Sequence, residues 1–195
     1  MRKLTMVAAG LLCIAACARQ PAQPPTAAPA TVPPSHEDFR TFCSHADCQR
    51  DVDIDLATSD GKLYHRHFAL LPPSVQPDLV TIYPGQKVQA AAVFKDGKFG
   101  GWVEAGAAKP GDVPLAFELQ QGPAGMMLSI HNGSQKTVKL ALAKVDLRAS
   151  GDDPQHTSSC PVLAGGADSE TWPEPIFEID VQSADLSPAA AGTCD

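Results

Sequence analysis

The sequence predicts an all-β domain built as an antiparallel β-sandwich, and two observations carry the prediction. Apolar and polar residues alternate with period two through most of the chain after residue 50, which is the pattern of strands with one buried face. Between these runs stand turn pairs at short spacing, Asp60-Gly61, Pro84-Gly85, Asp96-Gly97 and Asn132-Gly133, and no helical pattern of ten residues or more competes with them. Short strands broken by Gly- and Pro-bearing turns pack as sandwiches or barrels.

The elements follow in order. In DVDIDLAT, Val52, Ile54 and Leu56 share one face while Asp51, Asp53 and Asp55 share the other, because successive strand side chains alternate. Asp60-Gly61 turns the chain into KLYHRHFALL as the return strand. LVTIY is a β-branched run stopped by Pro84-Gly85, and Val88 to Lys95 forms the next strand. Lys95-Asp96-Gly97-Lys98 predicts a hairpin, since Asp-Gly suits the two positive φ angles of a type I′ turn; Phe99 to Glu104 returns from it. PLAFELQ places Leu115, Phe117 and Leu119 on one face and ends at Gln121-Gly122-Pro123-Ala124-Gly125. MMLSIHN and KTVKLALAKVDL flank Asn132-Gly133-Ser134, which reads as a second hairpin. In IFEIDVQ, Phe177, Ile179 and Val181 form one face, and Glu178, Asp180 and Gln182 the other. About nine strands result, an immunoglobulin-like or related sandwich, with a closed barrel as the alternative.

The first 34 residues serve a different purpose. Arg2 and Lys3 precede an uncharged, mostly apolar run from Leu4 to Ala16. A membrane-crossing helix needs roughly 20 such residues; this run matches the apolar region of a secretory signal. Residues 20–34, QPAQPPTAAPATVPP, hold six prolines and no charge. Such a segment is a semi-rigid spacer that spans up to ~45 Å when extended. The chain therefore divides into a signal, a tether and a single β-sandwich domain at 35–195; the resemblance of Ile14-Ala15-Ala16-Cys17 to the lipobox of bacterial lipoproteins implies 1–16 for the signal and 17–34 for the anchor and tether.

Removing Arg2 and Lys3 with the signal leaves 13 basic residues against 22 acidic ones, a formal net charge of −9. That balance gives no electrostatic drive toward nucleic acid or an anionic lipid surface. Beyond Cys13 and Cys17, four cysteines remain, Cys43, Cys48, Cys160 and Cys194. An even number in an exported chain points to disulfides, and four cysteines allow three connectivities. Cys43–Cys48 and Cys160–Cys194 are the favoured pairs, the first closing CSHADC and the second pinning the tail. A four-thiolate zinc site is the rival.

Candidate chemistry is sparse. His65 and His67 project from one side of a strand, roughly 7 Å apart at their Cα atoms. Met127 and His131 share a face of another strand. Imidazole with thioether sulfur suits copper, and imidazole alone suits zinc, so His65, His67, Met127 and His131 make a possible metal set. The competing explanation is a solvated strand face and a turn histidine. Asp51, Asp53 and Asp55 on a straight strand diverge too far for a calcium site and read as a solvated acidic edge. Residues 36–47 carry His36, Glu37, Asp38, His45 and Asp47, read as flexible polar residues beyond the tether. Ser59-Asp60-Gly61-Lys62 matches S-x-x-K by letter but sits in a turn, and no hydrolase elbow, zincin helix or phosphate loop is present. No catalytic residue is expected.

Two resemblances add to this reading. Ile14-Ala15-Ala16-Cys17 resembles the lipobox of bacterial lipoproteins, which implies cleavage before Cys17 and its acylation (palmitate among the chains); Ala18 in the next position implies outer-membrane sorting. Ordinary cleavage after Ala16 or Ala18, giving a soluble periplasmic protein, is the alternative. Thr157, Ser158, Cys160, Pro161 and Val162, followed by Trp172, Pro173, Pro175 and Ile176, resemble the T-S-x-C-P-V and W-P-x-P-I stretches of small, uncharacterised lipoproteins of Gram-negative bacteria. That resemblance spans about residues 79–185 and implies an exported β domain without defined activity. Trp172 either packs one end of the sandwich or anchors a partner. The expectation is a lipid-anchored, periplasm-facing binding or envelope-assembly module without catalysis, its contacts being the membrane through the lipid and an envelope protein; a copper or zinc binder is the alternative.

Overall fold

The computed structural model describes residues 36–147, 154–157 and 159–187. The signal, Cys17, the tether and Cys194 lie outside the described residues. A short helix α1 (His36–Phe42) precedes twelve strands: β1 (Gln49–Ala57), β2 (Leu63–Leu71), β3 (Val75–Gln76), β4 (Leu79–Ile82), β5 (Lys87–Lys95), β6 (Lys98–Glu104), β7 (Val113–Gly122), β8 (Gly125–Asn132), β9 (Val138–Asp146), β10 (Gln155–Thr157), β11 (Ala167–Trp172) and β12 (Ile176–Leu186). They form two five-stranded sheets, in the orders β10-β9-β12-β4-β3 and β11-β8-β7-β5-β6, and a separate β1-β2 hairpin. All pairings are antiparallel. The class is the expected all-β sandwich.

The three strands beyond the expected nine are β3, β10 and β11. β3 and β10 are too short to show a period. β11, ADSETW, is an edge strand whose residues alternate between exposed and half-buried, so it carries no apolar face to read. α1 also replaces the flexible polar segment expected over residues 36–42. The Cys43–Cys48 disulfide forms as expected, with Cα atoms 5.4 Å apart, and ties the end of α1 to the start of β1.

One hairpin formed as read and one did not. Asp96 and Gly97 adopt φ of 52° and 76°, and Lys95 pairs with Lys98 across the turn. Asn132-Gly133-Ser134, by contrast, is a crossover: β8 pairs with β7 and β11, whereas β9 pairs with β10 and β12 in the other sheet. The reason is the Asn132 side chain, which is fully buried. Its amide donates to the carbonyls of Lys136 (2.7 Å), Val162 (3.2 Å) and Leu163 (3.1 Å). Its Oδ1 accepts from the Ser134 backbone N–H and hydroxyl. The asparagine is a structural corner between sheets, not the first residue of a tight turn.

The core draws on all three sheets. Ile54 and Leu56 of the hairpin, Val80, Ile82, Ile179, Val181 and Leu142 of one sheet, and Phe117, Leu119, Leu128 and Ile130 of the other are buried together. Phe99, Trp102 and Phe117 stack edge-to-face at 5.2 and 6.4 Å, a favoured aromatic geometry. The Trp102 backbone N–H donates to Pro77 O at 2.9 Å, which joins β6 to the β3–β4 turn. The face of β12 expected to meet solvent departs from expectation. Asp180 is 6% exposed and pairs with the buried Thr81.

Candidate functional site

At one end of the sandwich the β1–β2 turn, the β7–β8 turn and the Trp172–Pro175 segment converge. They border an open groove of about 440 Å³ whose walls include Thr58, Ser59, Gln121, Pro123, Pro173 and Pro175. A second groove of about 260 Å³ adjoins it, sharing Gln121 to Gly125 and adding Met126, Met127 and Thr171.

Local chemistry builds this end. The Gln121 side chain accepts from Ala57 N at 2.7 Å and donates to Ala57 O at 2.8 Å, so it closes on the hairpin as a neighbouring strand would. Gly125 has φ of +123°, and a Cβ there would lie 2.1 Å from Trp172 O; only glycine lets the two backbones approach. Lys144 then fastens the Trp-Pro-Glu-Pro segment. Its ammonium, 12% exposed, contacts Asp146 at 2.9 Å and also Glu174. Burial pulls the Lys144 pKa down, but the hydrogen bonds and charges of Glu174 and Asp146 outweigh it and leave a net rise. The Lys144 hydrogen bond lowers the Glu174 pKa in turn. Trp172 is partly buried and packs against the core. Neither groove is lined by an acid, a base or a thiol.

The proposed metal ligands fall in two places. His65 and His67 stand on β2 opposite Asp55 and Asp53 of β1. Their Nδ1 atoms lie 2.7 and 2.9 Å from those carboxylates, and His67 Nε2 is 3.8 Å from Asp51. The hydrogen bond and charge of Asp55 hold the His65 imidazole above its ordinary value of 6.5. The aspartates and histidines thus form one exposed ladder on the hairpin. Met127 and His131 share the exposed face of β8, in a different sheet. Beside His131 that face is a shallow trough of about 270 Å³ also lined by Lys87, Gln89, Glu118 and Ser129.

Among the described residues, the group of three His, Cys, Asp or Glu ligand atoms within 4.8 Å of one another is Cys160, Asp168 and Glu170, and no histidine belongs to it. Cys160 is disulfide-bonded, which removes its thiolate; its expected partner, Cys194, lies outside the described residues. Asp180, Glu178 and Tyr83 form a further titratable cluster, but none of the grooves described above is lined by them. Sequence reasoning missed Gln121, Gly125 and Asn132. Gly122-Pro123-Ala124-Gly125 was legible only as a strand break. Compared with known families, curated proteins and solved structures, the chain matches no family model and no protein or structure significantly.

Proposed function

We propose that this chain is a non-catalytic binding or assembly module of the bacterial cell envelope, acylated at Cys17, held at the outer membrane and facing the periplasm. The composite groove at the loop end carries the reading. Three chain segments are locked together there by Gln121, Gly125 and Lys144, and they frame an open surface of prolines, hydroxyls, an amide and the exposed Met127. Rigid loops gathered at one end of a sandwich are where such scaffolds bind partners. A groove without a titratable group offers no general acid, base or activated nucleophile. Trp172 underpins the groove from the core side, a supporting part in partner binding.

Photo-crosslinking in intact cells tests this. A crosslinking residue at Ala124, on the rim, is expected to trap one envelope protein. The same residue at Asp96 is the control, because the β5–β7 register places the Asp96 turn at the far end of that sheet from Gln121. Absence of an adduct from Ala124, or identical adducts from both positions, rejects the groove. Fatty-acid labelling that persists in Cys17→Ser rejects the anchor. A second reading, copper or zinc held by the hairpin histidines, is favoured by their carboxylate-bound Nδ1 atoms, the arrangement that orients imidazole ligands.

A further inference from the structure

A pair of arginines shares one groove at the opposite end of β1 from Ala57. The groove measures about 400 Å³ and is lined by Arg40, Cys43, Ser44, Arg50, Ala69 and Leu70. Arg40 stands on α1 and Arg50 on β1. The buried Cys43–Cys48 disulfide clamps those two elements together. A loop this short gains little from chain entropy; what the disulfide does is hold together the two elements that carry Arg40 and Arg50.

Neither guanidinium has an ion-pair or hydrogen-bond partner among the described residues. Some other cations are engaged: Lys62, Lys87 and Lys144 meet carboxylates, and Arg66 lies 4.6 Å above the Phe68 ring. The chain carries 22 acids for 15 Lys and Arg, so partners are plentiful. The nearest in sequence, Asp51, is turned by a positive φ of 51° toward His67. Two unpaired guanidiniums against the apolar wall of Ala69 and Leu70 match a phosphate with an apolar extension, since the planar fork binds phosphate oxygens bidentately.

We infer that this groove seats the phosphate of an anionic phospholipid and docks the α1 end of the domain on the bilayer. The inference rests on the lipid-anchor reading above: the tether from Cys17 enters α1 at His36, on the same helix as Arg40, so this end is the one nearest the anchor along the chain. The negative net charge opposes approach, but screening confines that opposition to a Debye length of about 8 Å. The carboxylates of Asp51, Asp53 and Asp55 meet His67 and His65.

The test uses the chain from Ala18 on, which keeps the whole described core, Val52 to Ala184. It should float with vesicles of phosphatidylcholine plus phosphatidylglycerol and not with phosphatidylcholine alone. Arg40→Gln and Arg50→Gln should each lower the partition about fivefold. Both side chains are exposed and unpaired, so an unchanged melting temperature checks that the variants stay folded. The inference is overturned by no flotation with phosphatidylglycerol or by flotation of both variants equal to that of the natural chain. Inorganic phosphate saturating the arginines without vesicle binding would point to a soluble ligand and overturn it too. So would arginine-dependent pelleting with peptidoglycan sacculi. Labelling at Cys17 is scored separately: failed flotation of a chain that is acylated in cells removes this inference alone, and failed acylation removes the anchor reading.

Discussion

Asp180 shows how a single buried carboxyl escapes a period-two reading. Alternation in β12 places it on the outward face with Glu178, yet it is 6% exposed. The Thr81 hydroxyl donates to its Oδ1 at 3.0 Å. Burial raises its pKa above the ordinary 3.8, and the hydrogen bonds from Thr81 and with Glu178 only partly offset that. Tyr83 beside it is also pushed far above its ordinary value, first by burial and then by the Glu178 charge. The sign for Asp180 follows from proton counts. Between 3.8 and the raised folded value, the folded chain holds more protons than the unfolded one, so stability falls as pH rises through that window. Asp180→Asn retains an acceptor for Thr81 without a charge. It should be at least as stable as the natural chain at neutral pH and lack that decline. Urea unfolding at mildly acidic and neutral pH checks this; an unchanged pH slope in the variant would sink the assignment.

At the scale of elements, the β1–β2 hairpin formed as the sequence implied, with Ile54 and Leu56 buried and the aspartates exposed. The cross-strand register was not legible, and it is the register that sets Asp55 against His65 and Asp53 against His67. These pairs are exposed, and such contacts stabilise little. Their chemical consequence is to leave the His65 Nε2 pointing away from its carboxylate, while the His67 Nε2 lies 3.8 Å from Asp51. If the hairpin takes up copper or zinc, uptake should be lost in His65→Ala plus His67→Ala and persist in Met127→Ala plus His131→Ala, which lie in another sheet. Protons compete for His65 up to a higher pH than for an ordinary imidazole, because Asp55 raises its pKa. Uptake should therefore weaken as pH falls through that raised value. Metal titration of the natural chain and the two double variants decides it: no uptake by the natural chain, or loss in the Met127 and His131 variant, removes the hairpin site.

Across the whole molecule, Asn132 joins the two sheets and the Val162–Leu163 segment through one buried amide. Asn132→Ala leaves the Ser134 N–H without its acceptor and strips one of two hydrogen bonds from each of the Lys136, Val162 and Leu163 carbonyls, and a buried polar group left unsatisfied costs about 1–3 kcal/mol. With relaxation, the loss should total about 3 kcal/mol, a drop in melting temperature of roughly 6–12 °C for a domain of this size. Asn132→Asp, of similar shape, should also lose stability because it cannot donate to three carbonyls. Thermal melts of the two variants check this, and a shift under 2 °C, as at an average surface site, would refute the corner role.

The sequence by itself determined the all-β class, most strands, the Asp60-Gly61 and Asp96-Gly97 hairpins and the short disulfide. These depend on local patterns: period-two burial, turn chemistry and cysteine spacing. Only the tertiary structure decided that Asn132 spans two sheets, that Asp180 is buried, that β11 forms an edge and that Gln121 locks onto Ala57. The arginine groove and the loop-end groove belong to the same class. Each arises from residues distant in sequence, brought together by sheet register and by which face a neighbouring element covers. Long-range packing sets those quantities, and no window of adjacent residues encodes them.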